Sequence, residues 1–215
     1  MSIPIAETSP RRVFVWALGW PGWCRSGRDL VGALQALSDS QTRYVRVAER
    51  AGVEFPVNDG GFDIVSTSEG GGGTAFGVPS VITEADRQAV AAAEAGRLAS
   101  LVAASWEAFD EVAAAAPEEL TKGPRGGGRD TSRIIEHVME ADRAYAREIG
   151  LKPPPLDPSD KSAVNAMRAT ILEVLELPSE GAPLAGRKWP LRYAARRIAW
   201  HALDHAWEIE DRTPS

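Results

Sequence analysis

Between Thr83 and Asp211 the chain repeats apolar side chains at helical spacing four times, with proline or glycine in each interval. The first run carries Val90, Leu98, Leu101, Val102, Phe109 and Val112. Thr83 caps it, Glu84 and Asp86 place negative charge in its first turn, and Pro117 lies beyond its end. Asp130 opens the second, lined by Ile134, Val138, Ala141 and Tyr145, and Gly150 stops it. The third starts at Ser159, carries Val164, Met167, Ile171 and Val174, and ends at Pro178. Pro190 suits the first turn of the fourth, whose core face reads Leu191, Ala195, Ile198, Ala202, His205 and Ile209. Four amphipathic helices cannot bury their stripes singly, so residues 81–212 are expected to form a four-helix bundle.

Residues 11–80 read differently. Val13 to Trp16 is a strand signal, and Trp20-Pro21-Gly22-Trp23 is a turn. A helix follows from Ser26 or Gly27, with Leu30, Ala33, Leu34 and Leu37 at helical spacing. A second helical piece covers 40–51 and stops at Gly52, and Phe62 to Val65 reads as another strand. Gly70 to Gly73 form a flexible loop; no Lys-Ser/Thr follows, so it is not a phosphate loop. The expected fold class is α+β, a small strand-helix-strand module over 11–80 followed by the bundle.

The formal net charge is -6, and the longest basic groups, Arg11-Arg12 and Arg196-Arg197, are pairs only. Such a chain repels nucleic acid and anionic membranes, so neither is an expected partner. No apolar run reaches the roughly 18 residues of a membrane span. A single cysteine, Cys24, rules out a disulfide within the chain. With no signal-peptide pattern at the N-terminus, a cytoplasmic location is expected.

The chain holds three histidines. His201 and His205 lie four apart on the fourth predicted helix, so both imidazoles face the same way, about 6 Å apart along the axis. A helix donates two nitrogens to one metal ion by this spacing. His137 lies beside the apolar stripe of the second helix. Three neutral imidazoles suit zinc, nickel, copper or iron and leave a coordination position open, as in catalytic rather than closed structural sites. Glu208, three residues after His205, is placed to orient a ligand, bind a metal-bound water or act as a base. Asp204 and Asp211 are turned away by their helical angle. The plainer reading is three core histidines satisfied by hydrogen bonds alone.

The segment His137-Val138-Met139-Glu140-Ala141-Asp142, with Trp200-His201-Ala202-Leu203-Asp204-His205-Ala206-Trp207-Glu208, resembles the DinB-like superfamily over about residues 83–212. The resemblance implies a four-helix bundle with one ligand on the second helix and an H-x-x-x-H pair on the last. His137, His201 and His205 would be the ligands. It also implies a divalent metal, commonly nickel or zinc, and often a homodimer. Some members are transferases or isomerases that use a low-molecular-weight thiol such as mycothiol or bacillithiol, with the metal favouring the thiolate. Residues 11–51, with Trp16-Ala17-Leu18-Gly19-Trp20-Pro21-Gly22-Trp23-Cys24, resemble more loosely the HicB-like fold, a helix against a small sheet.

Several features have two readings. Gly126 to Gly128 offer N–H groups to an anion or form a plain loop. Cys24 is a redox thiol or core packing. Trp106, Trp189, Trp200 and Trp207 wall a ligand pocket or fill the core. Arg192, Arg196 and Arg197 form an exposed helix face or meet an anionic thiol or carboxylate substrate. Three functions follow: a metal-dependent thiol S-transferase, or related hydrolase or isomerase, acting on a small-molecule thiol or electrophile; a non-catalytic metal-binding stress-related protein; and a protein-interaction module.

Overall fold

The computed structural model describes residues 3–56, 61–122 and 128–214. Strands β1 (Ile3–Thr8) and β2 (Val13–Leu18) pair antiparallel, and their turn closes where the Ser9 N–H donates to the Arg12 carbonyl at 2.9 Å. Strand β3 (Cys24–Gly27) adds antiparallel to β2. After helices α1 (Leu30–Asp39) and α2 (Gln41–Arg50), strand β4 (Ser66–Glu69) returns parallel to β1, as a crossover of that length permits. The order is β3-β2-β1-β4. A short helix α3 (Gly72–Phe76) and four longer ones follow: α4 (Ala92–Ala115), α5 (Thr131–Glu148), α6 (Lys161–Leu175) and α7 (Leu191–Arg212). The described chain is a mixed α/β protein, mostly helical.

Strand β2 is buried on both faces, which explains its near-continuous apolar sequence. Val13, Val15 and Ala17 join the main core with Leu37 of α1. Phe14 and Trp16 form a second cluster with Ile5, Cys24 and Trp200 of α7, where Phe14 meets Trp200 edge-on at 6.1 Å. The sheet therefore buttresses α7. The loop before β3 crosses α7 closely: a Cβ on Gly22 would lie 2.6 Å from Leu203, and φ there is +90°, so glycine is required twice over.

Helix α7 packs on α4, α5 and α6, and α6 packs on α4 and α5. Every residue of α7 from Tyr193 to Leu203 is buried, which is why it lacks a wide polar face. The main core is continuous from Ala6 and Val15 of the sheet to Leu98 of α4 and Ile198 of α7. Burial of side chains such as Ile198 and Leu203 stabilises it by about 2 kcal/mol each.

The differences from expectation have identifiable physical causes. Helix α1 starts at Leu30, not Ser26 or Gly27, because Cys24–Gly27 pairs with β2; Asp29 caps it, accepting from the Gly32 N–H at 2.8 Å. The strand expected at Phe62 to Val65 lies at Ser66–Glu69 instead, and Phe62 packs on Trp23 at 5.7 Å. Where the loop Gly70 to Gly73 was expected, Gly72 already begins α3. Thr83 does not cap a long helix: only one 3-10 turn, Ala85–Arg87, follows, its cap position is Glu84, and the Thr83 N–H and hydroxyl both donate to Asp86. Val90 is then held in a two-way backbone bridge with Ser179, so α4 begins at Ala92. The cap of α6 is Asp160, one residue after Ser159. Of the Gly126 to Gly128 run, Gly126 and Gly127 lie outside the described residues. No helix among the described residues is long and apolar enough to cross a membrane.

Candidate metal centre

Ile134 and Val138 of α5 are fully buried, which leaves His137 half-buried at the edge of that stripe, facing α7. His201 and His205 are buried on α7. The Nε2 atoms of His137 and His201 are 3.2 Å apart, and one ligand nitrogen from each of the three imidazoles lies within 4.8 Å of the others. The ring centroids are 5.0, 4.9 and 4.7 Å apart. Two nitrogens bound tetrahedrally at zinc distances of about 2.0–2.1 Å would be separated by roughly 3.3 Å. The observed pair therefore fits one edge of such a polyhedron.

Protonation favours the same chemistry. Burial, followed by His205, holds the His137 imidazole down at about 4, against an ordinary 6.5. Burial pushes His201 well below its ordinary value, and Arg197 adds to the effect. Both rings are neutral near pH 7, the form that binds a metal. His205 Nδ1 lies 2.8 Å from Glu208 Oε2, and Glu208 Oε1 accepts from Arg212 at 2.6 Å. The bond to His205 holds the Glu208 carboxylate below its usual range. The relay sets His205 as the Nδ1–H tautomer and leaves Nε2 as its donor atom, the arrangement by which carboxylates orient metal-binding histidines. Arg212 is fixed by the carbonyls of Thr121 and Arg129.

All three sequence-predicted ligands thus converge, with Glu208 behind His205. Asp204 and Asp211 point away: Asp204 pairs with Arg25 at 3.4 Å and Asp211 with Arg43. The tryptophans divide. Trp189 reaches the site through Tyr145, whose ring lies 5.6 Å from His201 and 5.1 Å from Trp189. Trp200 packs on the sheet, Trp106 stacks under Arg168 and Trp207 under Arg25. Cys24 is buried in the second core, and burial pushes its thiol far up, so it is packing rather than a reactive thiolate.

The exposed arginine face does not exist. Arg196 is buried, binds Asp86 through Nε and Nη2 at 2.7 and 2.8 Å, and stacks on Trp16 and Tyr193. Arg192 forms a two-pronged pair with Glu94 at 2.6 and 2.9 Å. Arg197 is buried on Tyr145 and Trp200 at 5.2 and 4.6 Å. The carboxylates that hold Arg192 and Arg196 come from segments about a hundred residues away, beyond the reach of a periodicity argument. Arg197 and Tyr145 were missed as neighbours of the site, although Arg197 lies one turn before His201, a spacing visible in the sequence.

A second buried polar cluster lies on another face of α5. Asp142 is fully buried, with Arg168 Nε at 3.5 Å, and Arg168 Nη1 donates to Asp110 at 2.7 Å. Burial raises the Asp142 carboxyl to about 6, and Arg168 opposes the shift.

Comparison of the chain with protein-family models, with curated proteins and with solved structures returns no match.

Proposed function

We propose that this protein is a divalent-metal-dependent enzyme of the DinB-like type, a thiol S-transferase or a close chemical relative. The observation that carries the reading is the facing pair of Nε2 atoms on His137 and His201, with His205 completing the set. The mutual packing of α4, α5, α6 and α7 supports a four-helix bundle, with the HicB-like segment bracing the ligand helix from behind through Phe14 and Trp200.

The three imidazoles would hold the ion, and nickel or zinc suits three neutral nitrogens. When bound, such an ion supplies Lewis acidity that favours the thiolate of a coordinated thiol. His205 is aimed by Glu208, so Glu208 is a positioning residue. Both of its oxygens are engaged, which argues against its service as a base. The half-exposed His137 lies on the side open to solvent, where a cytoplasmic thiol such as mycothiol would enter.

Elemental analysis of the purified protein tests the reading. It predicts about one nickel or zinc per chain, lost in His201→Ala, and metal-dependent conjugation of a thiol to an electrophile. Metal-free protein that takes up neither ion, or equal metal content in His201→Ala, would overturn it.

A further inference from the structure

Three arginines lie on one turn and a half of α7, and their surroundings differ. Arg192 and Arg196 each grip a carboxylate with two nitrogens. Arg197 is as buried as Arg196, at 8% exposure against 9%. Among the described residues no carboxylate lies within ion-pair distance of it, and its buried Nη1 has no hydrogen-bond partner. A guanidinium cannot discharge itself, and an unpaired buried cation is costly. Its place is one helical turn, about 6 Å, before His201. Tyr145 spans the two, with Arg197 over its ring and His201 against its edge. Tyr145 and its neighbour Trp189 are only partly buried, so theirs is the more exposed side of the guanidinium's surroundings. Glu208, the carboxylate beside His205, is already committed to Arg212.

We propose that Arg197 is the receptor for a carboxylate carried by the substrate, which makes this a site for anionic rather than neutral molecules. The inference rests on the metal reading above for where the reacting atom lies, but the anion site itself does not require the metal. The carboxylate receives two N–H bonds in the plane of the guanidinium while the rest of the molecule extends past Tyr145 toward the imidazoles.

The carboxylate could belong to the thiol or to the acceptor, and titration calorimetry at pH 7 separates these. One arm compares 3-mercaptopropionate with 2-mercaptoethanol on zinc-loaded protein. The other compares butyrate with butyramide, with and without zinc. The carboxylate member of at least one pair should bind about 10- to 100-fold tighter, the factor a charge-assisted bond supplies. The arm that discriminates names the molecule that carries the charge. Arg197→Met should erase the preference while leaving metal content unchanged, and Arg197→Lys should keep part of it if the methionine variant does not fold. Equal binding within both pairs, or a preference that survives Arg197→Met or is undiminished in Arg197→Lys, overturns the proposal. Protein that holds no zinc yet prefers butyrate through Arg197 sinks the metal reading and leaves the anion site standing.

Discussion

Helix α5 carries two buried polar clusters, five residues apart on different faces, and they are built on opposite plans. Around Asp142, anion meets cation: Arg168 lies between it and Asp110, and Trp106 covers the guanidinium. Around His137, nitrogen meets nitrogen, and Arg197, a buried cation with no carboxylate at ion-pair distance among the described residues, lies one turn before His201. A cluster that balances its own charge tends to be structural, and the Asp142 cluster does so by ion pairing although both Asp142 oxygens and Arg168 Nε make no hydrogen bond. A cluster of converging lone pairs beside a buried cation has places that a metal and an anion would fill.

The contrast breaks first at Arg168. Arg168→Met leaves Asp142 without its cation and should cost about 3–5 kcal/mol above pH 7, read by denaturant unfolding, with metal content unchanged. If the Asp142 cluster also served the metal, metal content would fall with stability. Next in size is metal removal. Zinc at a hundred times its dissociation constant should stabilise the wild type by about 2.7 kcal/mol, seen as a rise in Tm, and His201→Ala should show no rise.

Acidity sharpens the comparison. The Asp142 carboxyl titrates near 6 when folded and near 3.8 when unfolded, so the native state binds the extra proton between those values. Wild-type stability from this group therefore falls as pH rises from 3.8 to 6. Asp142→Asn, which lacks the titration, should gain about 2–3 kcal/mol relative to wild type across that window and then level off. Unfolding curves at pH 4, 5, 6 and 7 check the slope; parallel profiles would show an ordinary carboxyl. Smaller still, Glu208→Gln should weaken zinc affinity about 10- to 100-fold in a competition titration, through a less basic, less fixed His205. Asp204→Asn, which removes only a part-exposed pair with Arg25, should change stability by about 0–1 kcal/mol and leave zinc affinity alone.

What could be read from the sequence follows the range of the forces involved. The long helices and the histidine spacing depend on periodicity within a few turns, so α5 to α7 and the convergence of the histidines were legible from residues such as Ile134, Val138, His201 and His205. Strand β1 was missed because Pro4 interrupts its own pattern and its place is declared by pairing with β2 and β4. The start of α4 was misplaced because Thr83, Glu84 and Asp86 have the residue types of a helix start, and the bridge from Val90 to Ser179 that delays the helix is not local. Arg196 was read as exposed because Asp86 is 110 residues away. Arg197 looks like its neighbours in sequence, and only the lack of a carboxylate around it among the described residues sets it apart.

X-ray absorption at the metal edge of zinc-loaded protein tests the central claim most directly. Three imidazole nitrogens at about 2.0–2.1 Å are predicted, with a sulfur scatterer near 2.3 Å appearing on addition of a thiol. A first shell with fewer than three imidazoles, or one that stays the same when the thiol is added, would contradict a three-histidine site with a position open to substrate.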